Sequence, residues 1–194
     1  MSRAPLAVLV AVMAGLLACC SHVPVTSMIK LARVNLAGTD PGELRAAVKV
    51  PQAVNPQSMV LRIDVKLADG ERQAEDFRLR EVAAPEDVLE LHRELDPGTR
   101  IVAYRLDPAE VARLVAFRDG LKQRQKARGG SGGALALSIL PQACRTAALP
   151  AGPVYFTAYL RTQETDGYVA LARDVDLRTL TPGRDLAAEI PPCA

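Results

Sequence analysis

The stretch MVLRIDVKLADGERQAEDFRL, residues 59–79, predicts a β-hairpin from its pattern alone. Apolar residues occupy every second position over 59–67, and Phe77 and Leu79 resume the alternation after a turn signal. A period of two is typical of a strand with one buried face. The chain therefore contains an antiparallel pair whose apolar faces lie on the same side.

Parity selects the length of the connecting loop. A two-residue turn at Asp69-Gly70 would pair Leu61 with Arg78 and would turn Phe77 away from the apolar face. A three-residue loop over 68–70, with Gly70 in the left-handed region, keeps that face continuously apolar. The predicted pairs are Leu61 with Phe77 and Met59 with Leu79.

A second hairpin is predicted near the C-terminus, with strands over 154–161 and 168–175 joined by a two-residue turn at Asp166-Gly167. One face of this hairpin is apolar. The other face carries residue types that are enriched in protein interfaces. These are Tyr155, Tyr159, Arg161 and Tyr168, and the pattern indicates either an interaction face or a face covered by the chain's own helices.

The remaining periodicities predict strands and two helices. Strands are indicated over 27–36, 44–50, 100–106 and 134–140, the second of them half-buried and the last leading into a loop at Cys144. The helices are predicted over 84–95 and from Asp107-Pro108, an N-cap signature, to about 127. The fold class is therefore α+β, a mainly antiparallel sheet or a β-sandwich with two helical insertions.

Composition fits one globular domain without identifying a partner. The chain has 194 residues, of which 49% are hydrophobic and 24% charged, with a formal net charge of +2. A body of this size buries most of its apolar surface. Near-neutral charge gives no indication of nucleic-acid binding.

The first nineteen residues resemble the signal of bacterial lipoproteins. A basic start, Met-Ser-Arg, precedes an apolar run over 4–17 that is too short to span a bilayer, and Ala18 stands directly before Cys19. The resemblance implies a signal peptide over 1–18, an acylated Cys19, a tether over 19–27 and a periplasmic domain over 28–194. An ordinary secretory signal is the alternative.

The same resemblance bears on location and partners. In such lipoproteins of Gram-negative bacteria an Asp after the modified cysteine favours the inner membrane, and Cys20 stands there instead. The periplasmic face of the outer membrane is therefore expected, with the inner membrane or the free periplasm as alternatives. Residues 22–51 also resemble uncharacterised proteobacterial lipoproteins, and that likeness implies no activity.

Cys144 and Cys193 are predicted to form a disulfide that holds the C-terminal tail to the domain, because the periplasm oxidises thiols. Closing a loop of about fifty residues is worth about 4 kcal/mol in the chain-entropy model. Redox catalysis or metal binding is the alternative. The sequence has no Cys-x-x-Cys motif and no histidine near either cysteine.

No catalytic constellation emerges from the sequence. Residues 129–133 match Gly-x-Ser-x-Gly, but the nucleophile elbow requires a strand before it and a helix after it, and here the predicted order is reversed. His92 is the one histidine of the predicted body, because His22 lies in the tether, so a multi-histidine metal site is excluded. We therefore expect no catalytic residues, no metal and no cofactor.

A basic stretch ends the second predicted helix. Its cations either attract anionic lipid head groups beneath the anchor or form a solvated helix end that opposes the negative end of the helix dipole. The patch residues are Lys122, Arg124, Lys126 and Arg128. Nucleic acid is not an expected partner in the periplasm.

These observations favour a non-enzymatic, lipid-anchored envelope protein that binds or scaffolds another envelope component, with the membrane contacted through N-terminal acyl chains. A hydrolase whose site is not visible in the sequence is one alternative. A carrier of a small apolar ligand or lipid is the other, and it requires a large apolar cavity between sheet and helices.

Overall fold

A computed structural model describes residues 27, 34, 38–82, 89–127 and 133–194. Seven strands in these ranges form one curled antiparallel sheet in the order β5-β2-β3-β4-β1-β6-β7. The strands are β1 (Arg45–Pro51), β2 (Val54–Leu67), β3 (Arg72–Glu81), β4 (Thr99–Leu106), β5 (Gly133–Arg145), β6 (Tyr155–Arg161) and β7 (Val169–Asp176). The mainly antiparallel sheet is confirmed. The strands of the described ranges do not divide into the two facing sheets of a sandwich.

Helices are few in the described ranges. They are α1 (Pro108–Ala127) and two single turns near the C-terminus, α2 (Leu177–Leu180) and α3 (Leu186–Glu189). Short 3₁₀ turns occupy Pro41–Glu43 and His92–Glu94. The bounds of α1 match the predicted second helix.

The hairpin of β2 and β3 has the predicted register. Leu61 pairs with Phe77 and Met59 pairs with Leu79. Gly70 has a φ of 89°, and its N–H donates to the carbonyl of Leu67 at 2.9 Å. The three-residue loop is therefore confirmed.

The hairpin of β6 and β7 differs from its prediction, because a loop over 162–168 replaces the two-residue turn at Asp166-Gly167. Leu160 pairs with Val169, and register shifts interrupt the pairing on either side of Ala158. Asp174 has a φ of 49°, in the left-handed region. The predicted turn is wrong because the Thr165 hydroxyl accepts from the Thr162 N–H and donates to the Gly167 carbonyl, which closes a longer loop. The extra residues of β7 at the irregularities then shift its pairing by two residues along the strand.

The main core lies on one face of the sheet. Leu114 of α1 is buried there, and the ring of Phe117 lies 6.0 Å from the ring of Phe77. Arg113 places its guanidinium 5.2 Å from the centre of the Phe77 ring, so the aliphatic and cationic parts of α1 both cover the hairpin. The apolar side of α1 therefore covers the part of the core next to β3.

β1 is buried on both faces, which corrects its prediction as a half-buried strand. Val48 points into the main core, whereas Ala47 belongs to a second apolar cluster on the opposite face. Leu91 and Tyr159 complete that cluster together with Ala103 and Ala170. The chain over 89–96 thus supplies a second layer over the middle of the sheet.

β5 is longer than predicted and includes Cys144, because it pairs with β2 along its whole length, as far as Val54 with Arg145. The predicted strand over 27–36 lies outside the described residues except for Ser27 and Val34. The signal, Cys19, the tether before Ser27, Arg128 and residues 83–88 of the first predicted helix also lie outside the described residues. In the described part of that helix, Leu89 is helical and residues 92–94 form a 3₁₀ turn.

Candidate ligand-binding site

An apolar cavity of ≈ 320 Å³ lies between the sheet and the C-terminal segment. Its volume is within the range of small-molecule sites in proteins. The sheet side of its lining consists of Val48, Val50, Val54, Pro56, Pro141, Gln142, Ala143 and Phe156. The opposite side consists of Leu177, Leu180, Thr181, Leu186, Glu189 and Ile190.

Aspartate caps shape the C-terminal side of the cavity. Asp176 accepts hydrogen bonds from the N–H groups of Arg178 and Val154, which starts α2 and ties it to the beginning of β6. Asp185 accepts from the N–H of Ala187 at 3.0 Å and starts α3. The two turns present Leu177 and Leu186 to the sheet. The sequence contains a signal for these two positions, because Asp176-Leu177 and Asp185-Leu186 each combine an N-cap residue with an apolar residue.

A disulfide between Cys144 and Cys193 fixes the end of this segment to β5, which confirms the predicted pairing. Backbone hydrogen bonds support the same attachment. The Arg145 N–H donates to the carbonyl of Pro191 at 2.8 Å, and the Cys193 N–H donates to the carbonyl of Arg145 at 2.9 Å. The disulfide and these backbone hydrogen bonds therefore hold the tail to the same end of β5.

Polar groups are sparse in the cavity. The Thr181 hydroxyl oxygen is buried and has no hydrogen-bond partner among the described residues. The Glu189 carboxylate lies 3.2 Å from Nε of Arg184, and the Gln142 side chain accepts from the Ser58 hydroxyl at 2.9 Å. A buried hydroxyl without a partner costs about 1–3 kcal/mol.

A larger depression, ≈ 430 Å³, lies beside the β2–β3 hairpin and is lined largely by exposed or partly exposed residues such as Lys66, Arg72 and Leu135. None of the residues that line it is buried, whereas several of those that line the first cavity are. We regard it as a surface groove, and the smaller cavity is the better ligand site because more of its lining belongs to the core.

The structure separates Tyr155 from the other three residues of the predicted tyrosine face. Tyr155 is 52% exposed, whereas Tyr159 is 1% exposed in the second cluster. Tyr168 is half-buried, with the guanidinium of Arg161 at 6.0 Å from its ring centre. Arg161 also lies 3.7 Å from Glu90. The four residues therefore do not form one continuous exposed surface.

A polar network that the sequence did not reveal covers Tyr159. The Tyr159 hydroxyl donates to Oε2 of Glu94 at 3.0 Å, and Arg173 donates to both carboxylate oxygens at 2.6 and 3.2 Å. Nζ of Lys49 lies 2.8 Å from Asp96. These partners come from four distant parts of the chain, and no local pattern in the sequence brings them together.

The network shifts two protonation equilibria. The hydrogen bond from Arg173 is the main reason that the pKa of Glu94 is lowered, against the opposing effect of burial. Burial, followed by the charge of Glu94, raises the pKa of Tyr159. The carboxylate stays ionised and the phenol neutral at pH 7, so the network anchors residues 94–96 to the sheet.

The predicted basic patch is partly engaged by the sheet. Arg124 donates to the side chain of Gln73 at 2.6 Å. Lys122 lies 4.0 Å from Asp119, and Lys126 is exposed. Arg128 lies outside the described residues, so a membrane role for the patch stays a prediction.

Other features carry no site in the described ranges. His92 is exposed on its 3₁₀ turn. Within residues 38–82, 89–127 and 133–194 no group of three His, Cys, Asp or Glu side chains could hold a metal ion. In that same part of the chain, none of the helices has the length and apolar character needed to cross a membrane.

Comparison of the chain with protein-family models, with curated proteins and with solved structures finds no match. The cavity and its lining are therefore the features of the chain that bear on function.

Proposed function

We propose that this protein is a non-enzymatic binding protein of the cell envelope that holds a small apolar molecule in the cavity between its sheet and its C-terminal segment. The observation that carries the proposal is the apolar cavity itself, ≈ 320 Å³ in volume. An engineered cavity of about 150 Å³ binds benzene. The present cavity therefore has room for about a dozen carbon atoms.

Two further features support binding rather than catalysis. The titratable side chains of the second face, Glu94, Arg173 and Lys49, are engaged in ion pairs or hydrogen bonds with protein groups. The cavity is lined mainly by aliphatic side chains, which supply affinity of about 0.8 kcal/mol for each CH₂ that the ligand buries. A hydrolase would need a nucleophile or an acid–base pair facing the substrate.

The binding test is isothermal titration calorimetry with 1-decanol. The variant Ala143→Leu adds three carbon atoms to the sheet side of the cavity. Because the added carbon atoms displace about two CH₂ groups of the ligand, the affinity should fall about tenfold. Ala136→Leu makes the same change on the same strand outside this cavity and should leave the affinity within about twofold. Equal affinities for the two variants would contradict binding in this cavity.

The anchor is a separate part of the proposal. We propose that Cys19 is acylated and that the domain faces the periplasm from the outer membrane. Several acyl chains make a near-permanent anchor, whereas one chain binds only marginally. Intact-mass spectrometry of the membrane fraction should show the mass of an acylated Cys19, and Cys19→Ala should release the protein. An unmodified, soluble mature protein would overturn the anchor and leave a free periplasmic carrier.

Scaffolding of another envelope protein is the second candidate. Tyr155 favours it, because this large aromatic side chain is half exposed next to an edge strand of the sheet. Crosslinking from the membrane with wild-type protein and with Tyr155→Ala tests it. A crosslinked partner that is lost in Tyr155→Ala supports scaffolding, and an identical crosslinking pattern in both proteins rules out Tyr155 as the contact.

A further inference from the structure

The outer edge of β5 carries unpaired backbone groups in the part of the chain that the structure describes. β5 is an edge strand, and β2 is the one strand that pairs with it there. At the far end of β5, the N–H and C=O of Arg145 bond to the C-terminal tail and not to β2. Because these groups alternate in direction along a strand, Leu135, Leu137 and Ile139 also direct theirs away from β2.

The two edges of the sheet differ in their protection against another strand. β7, the other edge strand, carries Arg173 and Asp174 near its middle, and two register shifts interrupt its pairing. Charges and bulges of this kind keep an edge strand from pairing with another chain. β5 has no charged residue over 133–144, and its register with β2 is unbroken over 133–142. β5 is therefore the unprotected edge as far as Pro141, which offers no N–H.

β5 also exposes one large apolar side chain on each face of the sheet. Leu135 is 44% exposed on the face of the main core, which it shares with Ile139. Leu140 is 41% exposed on the opposite face, which it shares with the small residues Ala134 and Ala136. The surface groove of ≈ 430 Å³ lies beside these two alanines. The edge thus combines an exposed large residue with a space next to small ones.

A second copy of β5 is complementary to this edge. In an antiparallel pair with a two-fold axis at Leu137, residues equally distant from the axis on its two sides face each other. Leu140 of one copy then faces Ala134 of the other, beside the groove, and Leu135 faces Ile139. Because the strand carries no charge there, no like charges oppose each other. This register covers both exposed leucines.

We propose that two copies of this protein pair antiparallel through residues 133–141 of β5, about a two-fold axis at Leu137, and so form one sheet across both molecules. The outward backbone groups of each copy supply the hydrogen bonds, as in the addition of a strand to a sheet edge. A single strand pair makes a small interface, so the association is weak and reversible. The proposal is independent of ligand binding in the cavity.

Cysteine crosslinking tests the pairing and its register. Positions 136 and 138 of opposite copies face each other as a non-hydrogen-bonded pair, with Cα atoms about 4.5 Å apart, within disulfide range. Two differently tagged full chains, Ala136→Cys and Ser138→Cys, are mixed and oxidised by air. We expect a dimer that contains both tags and that reductant separates. Each variant alone should give about tenfold less dimer, since diagonal positions lie about 7–8 Å apart.

The results of this crosslinking either support or overturn the proposal. Wild-type protein, which keeps its own cysteines, sets the background. If Ala136→Cys or Ser138→Cys crosslinks to itself as efficiently as the two crosslink to each other, the axis at Leu137 is wrong. If no combination exceeds the wild-type background, the copies do not pair through this edge, as would follow if another part of the chain or another protein covered it.

A charge placed on the edge should weaken the dimer. Leu135→Lys puts an ammonium opposite Ile139 at both ends of the interface and should weaken self-association at least about tenfold in sedimentation equilibrium. Leu95→Lys is the matched control, because Leu95 is 45% exposed and belongs to the layer over the middle of the sheet. It should change self-association less than about twofold. Similar unfolding midpoints, expected because both leucines are exposed, verify that the variants fold.

Two outcomes of the sedimentation experiment overturn the proposal. A wild-type chain that remains monomeric at every concentration contradicts self-association. Equal self-association of Leu135→Lys and Leu95→Lys shows that the copies do not meet at β5.

Discussion

The two hairpins of this sheet differ in how regularly their strands pair. The β2–β3 hairpin is regular, and its register follows from apolar alternation and one left-handed glycine. The β6–β7 hairpin is irregular, with a seven-residue loop and two register shifts. A two-residue turn would pair Leu160 with Arg173, whereas Leu160 pairs with Val169.

The two hairpins together show what the alternation of apolar residues predicts and what it leaves open. A slip of four residues is even, so the predicted faces of the second hairpin are retained although its partners are wrong. Leu160 and Leu171 still lie on the main-core side, and Tyr159 and Ala170 still share the other. Parity therefore selects a face, and the chemistry of the turn selects the register.

The largest expected effect is in the regular hairpin. Phe77→Ala removes a fully buried ring that packs against Phe117, so the free energy of unfolding should fall by about 3–5 kcal/mol. The neighbouring, exposed Arg78→Ala should change it by less than about 0.5 kcal/mol. Denaturant titration measures both. A loss below about 1 kcal/mol for Phe77→Ala would show that the hairpin does not depend on its apolar face.

The next effect concerns the loop of the irregular hairpin. The buried Thr165 hydroxyl accepts from the N–H of Thr162 at 2.9 Å and reaches the carbonyl of Gly167 at 2.8 Å. Thr165→Val leaves both backbone groups without this partner and should cost about 2 kcal/mol. Thr146→Val, which loses one exposed hydrogen bond, should cost less than about 0.5 kcal/mol. Similar midpoints of chemical unfolding for the two variants would rule out a role for the hydroxyl in this loop.

Matched glycine substitutions compare the turns directly. Gly70 has a φ of 89° with open space around a new Cβ, so Gly70→Ala should cost about 1 kcal/mol from backbone strain alone. Gly167 has a φ of 102°, and a Cβ there would collide with the Glu90 carboxylate, which accepts from the Tyr168 N–H. Gly167→Ala should cost about 1 kcal/mol more than Gly70→Ala. Thermal unfolding of both variants tests the order, and the reverse order would contradict it.

The smallest effect is a pH dependence confined to the irregular hairpin. The folded-state pKa of Glu94 is lowered, mainly by its hydrogen bond with Arg173. Its stabilisation is therefore present above the unfolded pKa of about 4.5 and is lost as the pH falls through the folded value. Amide protection factors in β6 and β7 should therefore fall more than those in β2 and β3 as the pH drops below about 4.5.

A control variant isolates the carboxylate. Glu94→Gln should remove much of the difference in acid sensitivity between the hairpins, because the side chain no longer titrates. If both hairpins lose protection equally in wild-type protein, the Glu94 network does not hold the irregular hairpin.

The sequence predicted what local pattern determines. The register of β2 with β3, the bounds of α1 and the Cys144–Cys193 disulfide follow from alternation, capping and cysteine count. Burial on both faces of β1 was not predicted, because Ala47 and Lys49 carry no signal that a second layer covers them. That layer depends on Leu91 and Tyr159, which are distant in sequence.

The candidate site was predicted less well than the sheet. An apolar cavity was named as the test of one hypothesis, but none of its lining residues was identified. Phe156, Leu177 and Ile190 are ordinary core residues by pattern, and their meeting around a space depends on the path of the tail after β7. Of the predicted interaction face, Tyr155 is the most exposed member.

The position of β5 in the sheet sets an order of assembly. β2 can pair with β3 as soon as both are made, since a short loop joins them, but its other edge must wait for β5. Leu67 pairs with Gly133 and Val54 with Arg145, and β3, β4 and α1 lie between these two strands in the chain. Such non-local pairing is slow, and the open edge of β2 is prone to self-association meanwhile. The apolar cavity, which needs both β5 and the tail, is therefore among the last features to form.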